Sequence, residues 1–267
     1  MNDIWKYILE LTDTKNVLVM RGISIYFLNI ITNTNTNKRL NPKIIKIKNE
    51  NILNLINFTN MNFFWDINLF YDDTINGEDL IKLNNIVKLD LSGVTAINDK
   101  QLKLLTGLTS LSLHENSDIT DDGIKMLTNI IDLHICYNDI SNAGISMMTN
   151  MKKLCITCNS NVTDEGLGMI TQLAELNISG NDIITDKGLT ILTNLTCLDI
   201  GYNEMITDNG LQMMTNLTHL NIEYNKMITD NGIKMMTNLT HLNIGPGELR
   251  NKFLNLQSNV ASRLRIT

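Results

Sequence analysis

Residues 195–216 read LTCLDIGYNEMITDNGLQMMTN, and residues 217–238 read LTHLNIEYNKMITDNGIKMMTN. Two units this alike, placed back to back, make the fold a matter of stacking one supersecondary unit on the next. Leu239 restarts the pattern as LTHLNIGPG, and counting backwards, units open at Leu173, Met151, Ile130, Leu108, Ile86 and Phe64. Every step is 22 residues except one of 21, which lacks a residue between Asn138 and Ile140. A weaker unit opens at Pro42, with Ile45 and Ile47 in the apolar places.

The first nine positions of a unit follow L-x-x-L-x-L/I-x-x-N. Apolar residues at the fourth and sixth positions describe a short strand with one face inward. The ninth position is Asn in six successive units (Asn116, Asn138, Asn159, Asn181, Asn203 and Asn225). An inward amide there both donates and accepts, which satisfies turn backbone that stacking would otherwise bury unpaired. The second half reads I-T-D-x-G-L-x-x-L/M-T-N. Asp121, Asp164, Asp186, Asp208 and Asp230 are expected to cap a short helix whose apolar residues lie three apart. The methionines of that half (Met126, Met147, Met148, Met213, Met214, Met235 and Met236) are expected to pack in the core.

The repeat resembles a leucine-rich repeat over residues 64–246, and its T-D-x-G-L half resembles the repeats of F-box/leucine-rich-repeat proteins. The resemblance implies an α/β fold, a horseshoe-like, ribonuclease-inhibitor-like leucine-rich-repeat solenoid with strands on the concave side and helices on the convex side. Residues 41–63 would be a degenerate first repeat or cap, and 247–267 a C-terminal cap.

Residues 1–40 do not fit the repeat. Ile4, Ile8 and Leu11 share one helical face and Val17, Met20, Ile23 and Phe27 another, before a polar linker, Asn33-Thr34-Asn35-Thr36-Asn37. A helical cap on the first coil is one reading. The other follows from Asp3-Ile4-Trp5-Lys6-Tyr7-Ile8-Leu9, Asn16-Val17-Leu18 and Met20-Arg21-Gly22-Ile23-Ser24-Ile25-Tyr26-Phe27, which together resemble an F-box without its usual leading Leu-Pro. That resemblance implies a substrate-recognition subunit of a Skp–cullin–F-box ubiquitin ligase. Ile4, Trp5, Ile8, Leu9, Val17 and Leu18 would contact the Skp-type adaptor, and the concave face would hold a protein target. The whole chain is similar to the F-box/leucine-rich-repeat proteins of giant amoeba viruses, whose AT-rich coding suits its 39 Asn and 36 Ile.

The 22 basic and 28 acidic residues leave a net charge of −6, which argues against a nucleic-acid binder. Four Cys are no disulfide framework, so a reducing, cytoplasmic setting is expected. Met1–Trp5 does not open as a secretory signal, and the 15-residue apolar run Val17–Ile31 is too short and too interrupted to span a membrane. A monomer outside its complex is expected.

Positions 3, 5 and 7 of each unit should point away from the core, with position 8 at the edge. Candidate target-binding residues on that face are Trp65, Phe70, Tyr71, His114, Asp132, His134, Tyr137, Glu175, Asp199, Tyr202, His219, Glu223, Tyr224 and His241. Lys88, Lys152 and Lys153 stand against Asp66, Asp90, Glu115, Asp132, Glu175, Asp199 and Glu223, so a basic or polar protein fits better than a phosphate backbone. Exposed aromatics there would be interface anchors or would pack on adjacent turns.

Strand spacing also sets His114 beside Cys136 and His134 beside Cys155, with Cys158 nearby. Two His and two Cys are zinc-ligand types, although their spacing matches no zinc ribbon or finger, and no cofactor or metal is expected. No phosphate loop, nucleophile elbow or His-Glu-x-x-His occurs, and a His134–Cys pair lacks an orienting third group and a pocket, so the chain reads as a binding protein and not as an enzyme.

Overall fold

The computed structural model describes residues 44–48, 64–71, 76–82, 86–159, 161–246 and 265–266. The chain divides into two compact units, 1–43 and 44–267. The F-box-like segment 1–40, with Ile4, Trp5, Ile8, Leu9, Val17 and Leu18, lies outside the described residues.

Strands and short helices alternate along the second unit. The strands are β1 Ile44–Lys48, β2 Phe64–Asn68, β3 Ile86–Asp90, β4 Ser110–Ser112, β5 Asp132–His134, β6 Lys153–Cys155, β7 Glu175–Asn177, β8 Cys197–Asp199, β9 His219–Asn221, β10 His241–Asn243 and β11 Arg265–Ile266. Between them lie α1 Gly77–Leu80, α2 Asp99–Leu102, α3 Asp121–Ile124, α4 Asn142–Ile145, α5 Asp164–Met169, α6 Asp186–Leu189, α7 Asp208–Leu211 and α8 Asp230–Ile233. All eleven strands form one parallel sheet in chain order. This is the architecture of a leucine-rich-repeat solenoid.

Register follows the repeat: Leu133, Leu154, Leu176, Leu198 and Leu220 pair in line across five strands. At the amino-terminal edge, Ile44 aligns with Phe64 and Ile47 with Ile67, two residues later than a unit opening at Pro42 would place them. At the other end, within the segment expected to be a cap, Arg265–Ile266 adds a strand beside His241–Leu242.

The core repeats as faithfully. In the unit opening at Leu195, the side chains of Leu195, Leu198, Ile200, Ile206, Leu211 and Met214 are all buried. At about 1.5–3 kcal/mol for each large apolar side chain removed from water, one coil's stripe outweighs any intrinsic preference of a four-residue helix. Among the methionines, the expectation of core packing fails for four. Met148, Met214 and Met236 are buried, but Met126, Met147, Met213 and Met235 are exposed on the outer side of the helical halves. The penultimate apolar position of each unit faces away from the core, and Leu104, Met169 and Ile191 share that row.

The repeated polar residues form ladders between coils. The ninth-position Asn accepts from the backbone N–H groups two and three residues on, as Asn181 Oδ1 does from Ile183 and Ile184, both at 2.9 Å. Its amide donates to the preceding coil, Asn203 to the Asn181 carbonyl and Asn225 to the Asn203 carbonyl. Asn116, Asn159, Asn181, Asn203 and Asn225 are buried and satisfied in this way. In the shortened unit Asn138 is only half-buried, and its Oδ1 accepts from Ile140 N–H at 3.1 Å.

The Asp residues expected at the N-caps lie one place further in. The caps are Thr120, Thr163, Thr185, Thr207 and Thr229, whose hydroxyls accept from the second backbone N–H onward. The Asp carboxylate instead reaches the next coil: Asp186 Oδ1 accepts from Thr207 N–H at 2.7 Å and Oδ2 from the Thr207 hydroxyl at 2.6 Å. The same pair of bonds joins Asp99 to Thr120, Asp121 to Ser141, Asp164 to Thr185 and Asp208 to Thr229. The Gly two residues after each Asp makes room for the ladder. A Cβ at Gly188 would stand 2.4 Å from Asp164 Oδ1, and one at Gly210 would stand 2.5 Å from Asp186 Oδ1.

Candidate functional site on the strand face

Strands β2, β3, β7, β8, β9 and β10 leave the sheet through a side-chain-capped turn. Position 5 accepts from the N–H of position 7, as Asp199 Oδ1 does from Gly201 and Asn221 Oδ1 from Glu223, both at 3.0 Å. This bond takes up the position-7 N–H, while backbone pairing to the next coil continues at position 8, as from Tyr202 N–H to the Glu223 carbonyl at 2.8 Å. The chain then turns through a left-handed residue at position 8: Tyr71, Glu115, Tyr137, Cys158, Tyr202 and Tyr224 have φ between 52° and 57°, and Gly93 and Gly180 occupy the equivalent places. A non-glycine residue held there costs roughly 1 kcal/mol, recovered from the ladders on either side.

This geometry corrects two expectations about the face. Position 7 does not point uniformly outward, since Ser92 and Cys136 are buried. Several acids counted as ligand-facing are also engaged in the scaffold. Asp90 Oδ1 accepts from the Ser92 N–H and hydroxyl, and Asp199 holds its turn, with burial first among the causes that raise its carboxyl above the usual range.

The tyrosines at position 8 are exposed, yet they also pack on adjacent turns. Tyr202 and Tyr224 stack with ring centroids 4.5 Å apart. Tyr71 passes over Gly93, where a Cβ would collide with its ring, and donates to the Glu115 carboxylate two coils away. Exposed Phe70 meets Tyr71 edge to face at 4.6 Å. The side chain of Trp65 lies outside the described residues.

The four histidines fall in three places. His114 packs edge-on against Tyr137 at 5.4 Å, with its Nε2 3.5 Å from Glu115. His219 and His241 stack in parallel, 4.2 Å apart, each Nδ1 2.9 Å from the preceding Thr hydroxyl. Beside them Glu223 lies 3.5 Å from the Asn243 amide. Glu175 pairs with Lys153 at 2.7 Å.

His134 lies in register with Cys155 of the next strand, as strand spacing predicts. Its Nε2 is 3.1 Å from Asp132 Oδ1, so the third group that sequence reasoning found missing is present two residues upstream on the same strand face. Cys136 Sγ lies 3.2 Å from Cys155 Sγ, and Thr157 Oγ1 is 3.3 Å from Cys155 Sγ. The missing pocket is present as well: a cavity of about 250 Å³ opens here, lined by Asp132, His134, Lys153, Cys155, Glu175, Cys197 and Asp199 among others. The bond to Asp132, then that to Cys155, holds the His134 imidazolium up to about 10. A hydrogen bond from Cys136, with help from His134 and Thr157, pulls the Cys155 thiol down to about 4 against the opposing effect of burial. The Cys155 bond and burial push the Cys136 thiol upward. Among the described residues no group of three or more His, Cys, Asp or Glu side chains is placed to hold a metal ion, and His114 turns to Glu115 and Tyr137.

The leucine-rich-repeat family model matches three successive segments, 171–190, 192–214 and 214–236. The chain carries leucine-rich repeats. Among solved structures, the internalin InlF of Listeria monocytogenes matches with TM-score 0.61 at 24% identity over 80% of this chain and 63% of that one. A chain of the TLR13–ssRNA13 complex matches with TM-score 0.55 at 18% identity, over 84% of this chain and 35% of that one. A chain of the mouse RP105/MD-1 complex matches with TM-score 0.55 at 17% identity, over 76% and 38%. At these identities the likeness is one of fold, and this chain spans less than two thirds of each of them. No curated protein matches the chain in sequence. Among the described residues no helix is long and apolar enough to cross a membrane.

Proposed function

We propose that these leucine-rich repeats form a protein-binding scaffold, not an enzyme, whose strand face takes a basic or polar protein target. The observation that carries this reading is the row of tyrosines at position 8. Tyr71, Tyr137, Tyr202 and Tyr224 are each at least 42% exposed, yet their backbone is fixed in the left-handed region. Large rings held in place lose little entropy on binding, and they are frequent anchors of protein interfaces. The acids beside them, Glu115 and Glu223, bias the face toward a cationic partner and against an RNA such as the one named in the TLR13–ssRNA13 structure.

The fuller form of the proposal makes the chain a cytoplasmic, giant-virus-type F-box protein, monomeric outside its complex. Residues 1–40 would join a Skp-type ubiquitin-ligase adaptor through Ile4, Trp5, Ile8, Leu9, Val17 and Leu18, and the strand face would present the target. It rests on the F-box-like spacing of those residues ahead of repeats of the matching type. A pull-down of the purified chain with the Skp-type adaptor tests it, with Ile8→Asp, Leu9→Asp as control. Binding lost in the control supports the ligase reading, and no binding by the folded wild type removes it. The scaffold reading is tested separately by crosslinking captured proteins to the chain. Capture abolished by Tyr202→Ala, Tyr224→Ala but kept by the outer-face change Met213→Gln supports it, and equal capture by all three overturns it.

A further inference from the structure

We infer that Cys155 and Cys136 form a peroxide-responsive dithiol on the strand face, Cys155 attacking and Cys136 resolving, whose product is a disulfide between neighbouring coils. The two sulfurs already lie 3.2 Å apart, so bonding at about 2.05 Å needs a shift of roughly 1 Å. Their roles follow from access. Cys155 lines the open cavity, whereas Cys136 is 7% exposed and is not among the lining residues. His134 stands beside Cys155 in register, oriented by its bond to Asp132, so an acid is at hand for a leaving oxygen. The inference does not depend on which partner the scaffold binds.

The other two thiols lack this setting. Cys197 sits near Glu175 and Asp199, and burial together with those acids raises its thiol. Cys158 is exposed on a turn, its Sγ 3.2 Å from the place a Gly180 Cβ would occupy. A depressed thiol near neutral pH is the reactive form, which supports Cys155 as the first sulfur to react.

The chemistry balances with a hydroperoxide, ROOH, as oxidant. The Cys155 thiolate attacks one peroxide oxygen and the O–O bond breaks. The alkoxide leaves as ROH with the proton of the His134 imidazolium, and Cys155 becomes a sulfenic acid. The Cys136 sulfur then attacks the Cys155 sulfur, the S–S bond forms, and the hydroxyl departs with the Cys136 proton as water. One hydroperoxide is reduced to ROH and water, and two thiols are oxidised. The event is a stoichiometric switch that closes a link between β6 and the turn after β5.

The experiment treats the purified full chain with one equivalent of hydrogen peroxide, alkylates the remaining thiols and maps the peptides by mass spectrometry. The expected result is a 2 Da loss, a linked Cys136–Cys155 peptide, and alkylated Cys158 and Cys197. Cys136→Ser should leave a Cys155 sulfenic acid that dimedone traps, and His134→Asn should slow oxidation about tenfold. Oxidation of Cys158 or Cys197 as fast as Cys155, or intermolecular disulfides without the Cys136–Cys155 link, overturns the inference. The wild-type map alone decides between these outcomes, even if a variant fails to fold.

Discussion

Single side chains in this solenoid are judged by their place in the repeat more than by their type. Cys158 and Tyr202 both hold left-handed backbone, where branching at Cβ is least tolerated. Cys158→Val is therefore expected to cost about 1–2 kcal/mol in urea unfolding, while Cys158→Gly stays within a few tenths of the wild type. Equal stabilities would mean that the turn relaxes around any residue. At the neighbouring cluster the sign of the pH effect is fixed by two groups. The Cys155 thiol is drawn down to about 4, and the His134 imidazolium is held up to about 10. Between these limits the thiolate–imidazolium pair persists, so alkylation of Cys155 by iodoacetamide should be flat from about pH 6 to 8.5 in the folded chain. In urea it should climb with pH as an ordinary thiol near 8.5 does. A folded-state rate that climbs about tenfold per pH unit would refute the pairing. The lateral neighbours His134 and Cys155 could be read from the 22-residue step and strand spacing. Asp132 could have been read too, being two residues upstream on the same strand face, but its side chain turns along the strand, which a search for lateral neighbours passes over.

At the level of the element, helices of four to six residues hold together only through what the adjoining coils supply. The Asp ladder is one such supply, and the molecule carries its own control. In α4 the position is Asn142, whose Oδ1 accepts from Thr163 N–H at 2.9 Å and whose amide donates to the Thr163 hydroxyl at 2.8 Å. Asp186→Asn should thus be tolerated within about 0.5 kcal/mol, whereas Asp186→Ala leaves the Thr207 N–H and the proton of its hydroxyl unpaired and should cost about 2 kcal/mol. Chemical denaturation of the two variants checks this, and equal losses would show that charge, not hydrogen bonding, is what the position supplies. The repeat spelled out the strands and the buried Asn positions because stacking identical units demands identical inward faces. It was less informative about T-D-x-G, where Asp suits a cap as well as a ladder and only the close approach at Gly distinguishes them. The outward row of Met126, Met147, Met213 and Met235 was hidden for a related reason: these residues lie in the turns just past the four-residue helices, where helical periodicity no longer says which of two adjacent apolar residues faces in.

Across the whole array nearly all contacts join adjacent coils, the Tyr71–Glu115 bond being one that skips a coil, so stability is close to a sum of unit and interface terms. Among the described residues the ladder is last made by Asp208, and Asp230 Oδ1 has no hydrogen-bond partner there. A defect should then act differently according to its place along the chain. In the middle, Gly188→Ala puts a Cβ 2.4 Å from Asp164 Oδ1 and 3.3 Å from Asp164 Cα, so the two coils must part. Near the end, Gly232→Ala makes the equivalent collision with Asp208, at 2.5 Å and 3.2 Å. The local insult is the same, and the number of coils left on either side is not. For Gly188→Ala the expected urea curve separates into two transitions, each with roughly half the wild-type slope, because each block exposes about half of the surface. For Gly232→Ala the main transition should keep its midpoint and most of its slope, with only a small early loss as the last coils fray. A single transition of wild-type slope in both variants would mean that the sheet and its ladders unfold as one block, and the nearest-neighbour description would fail.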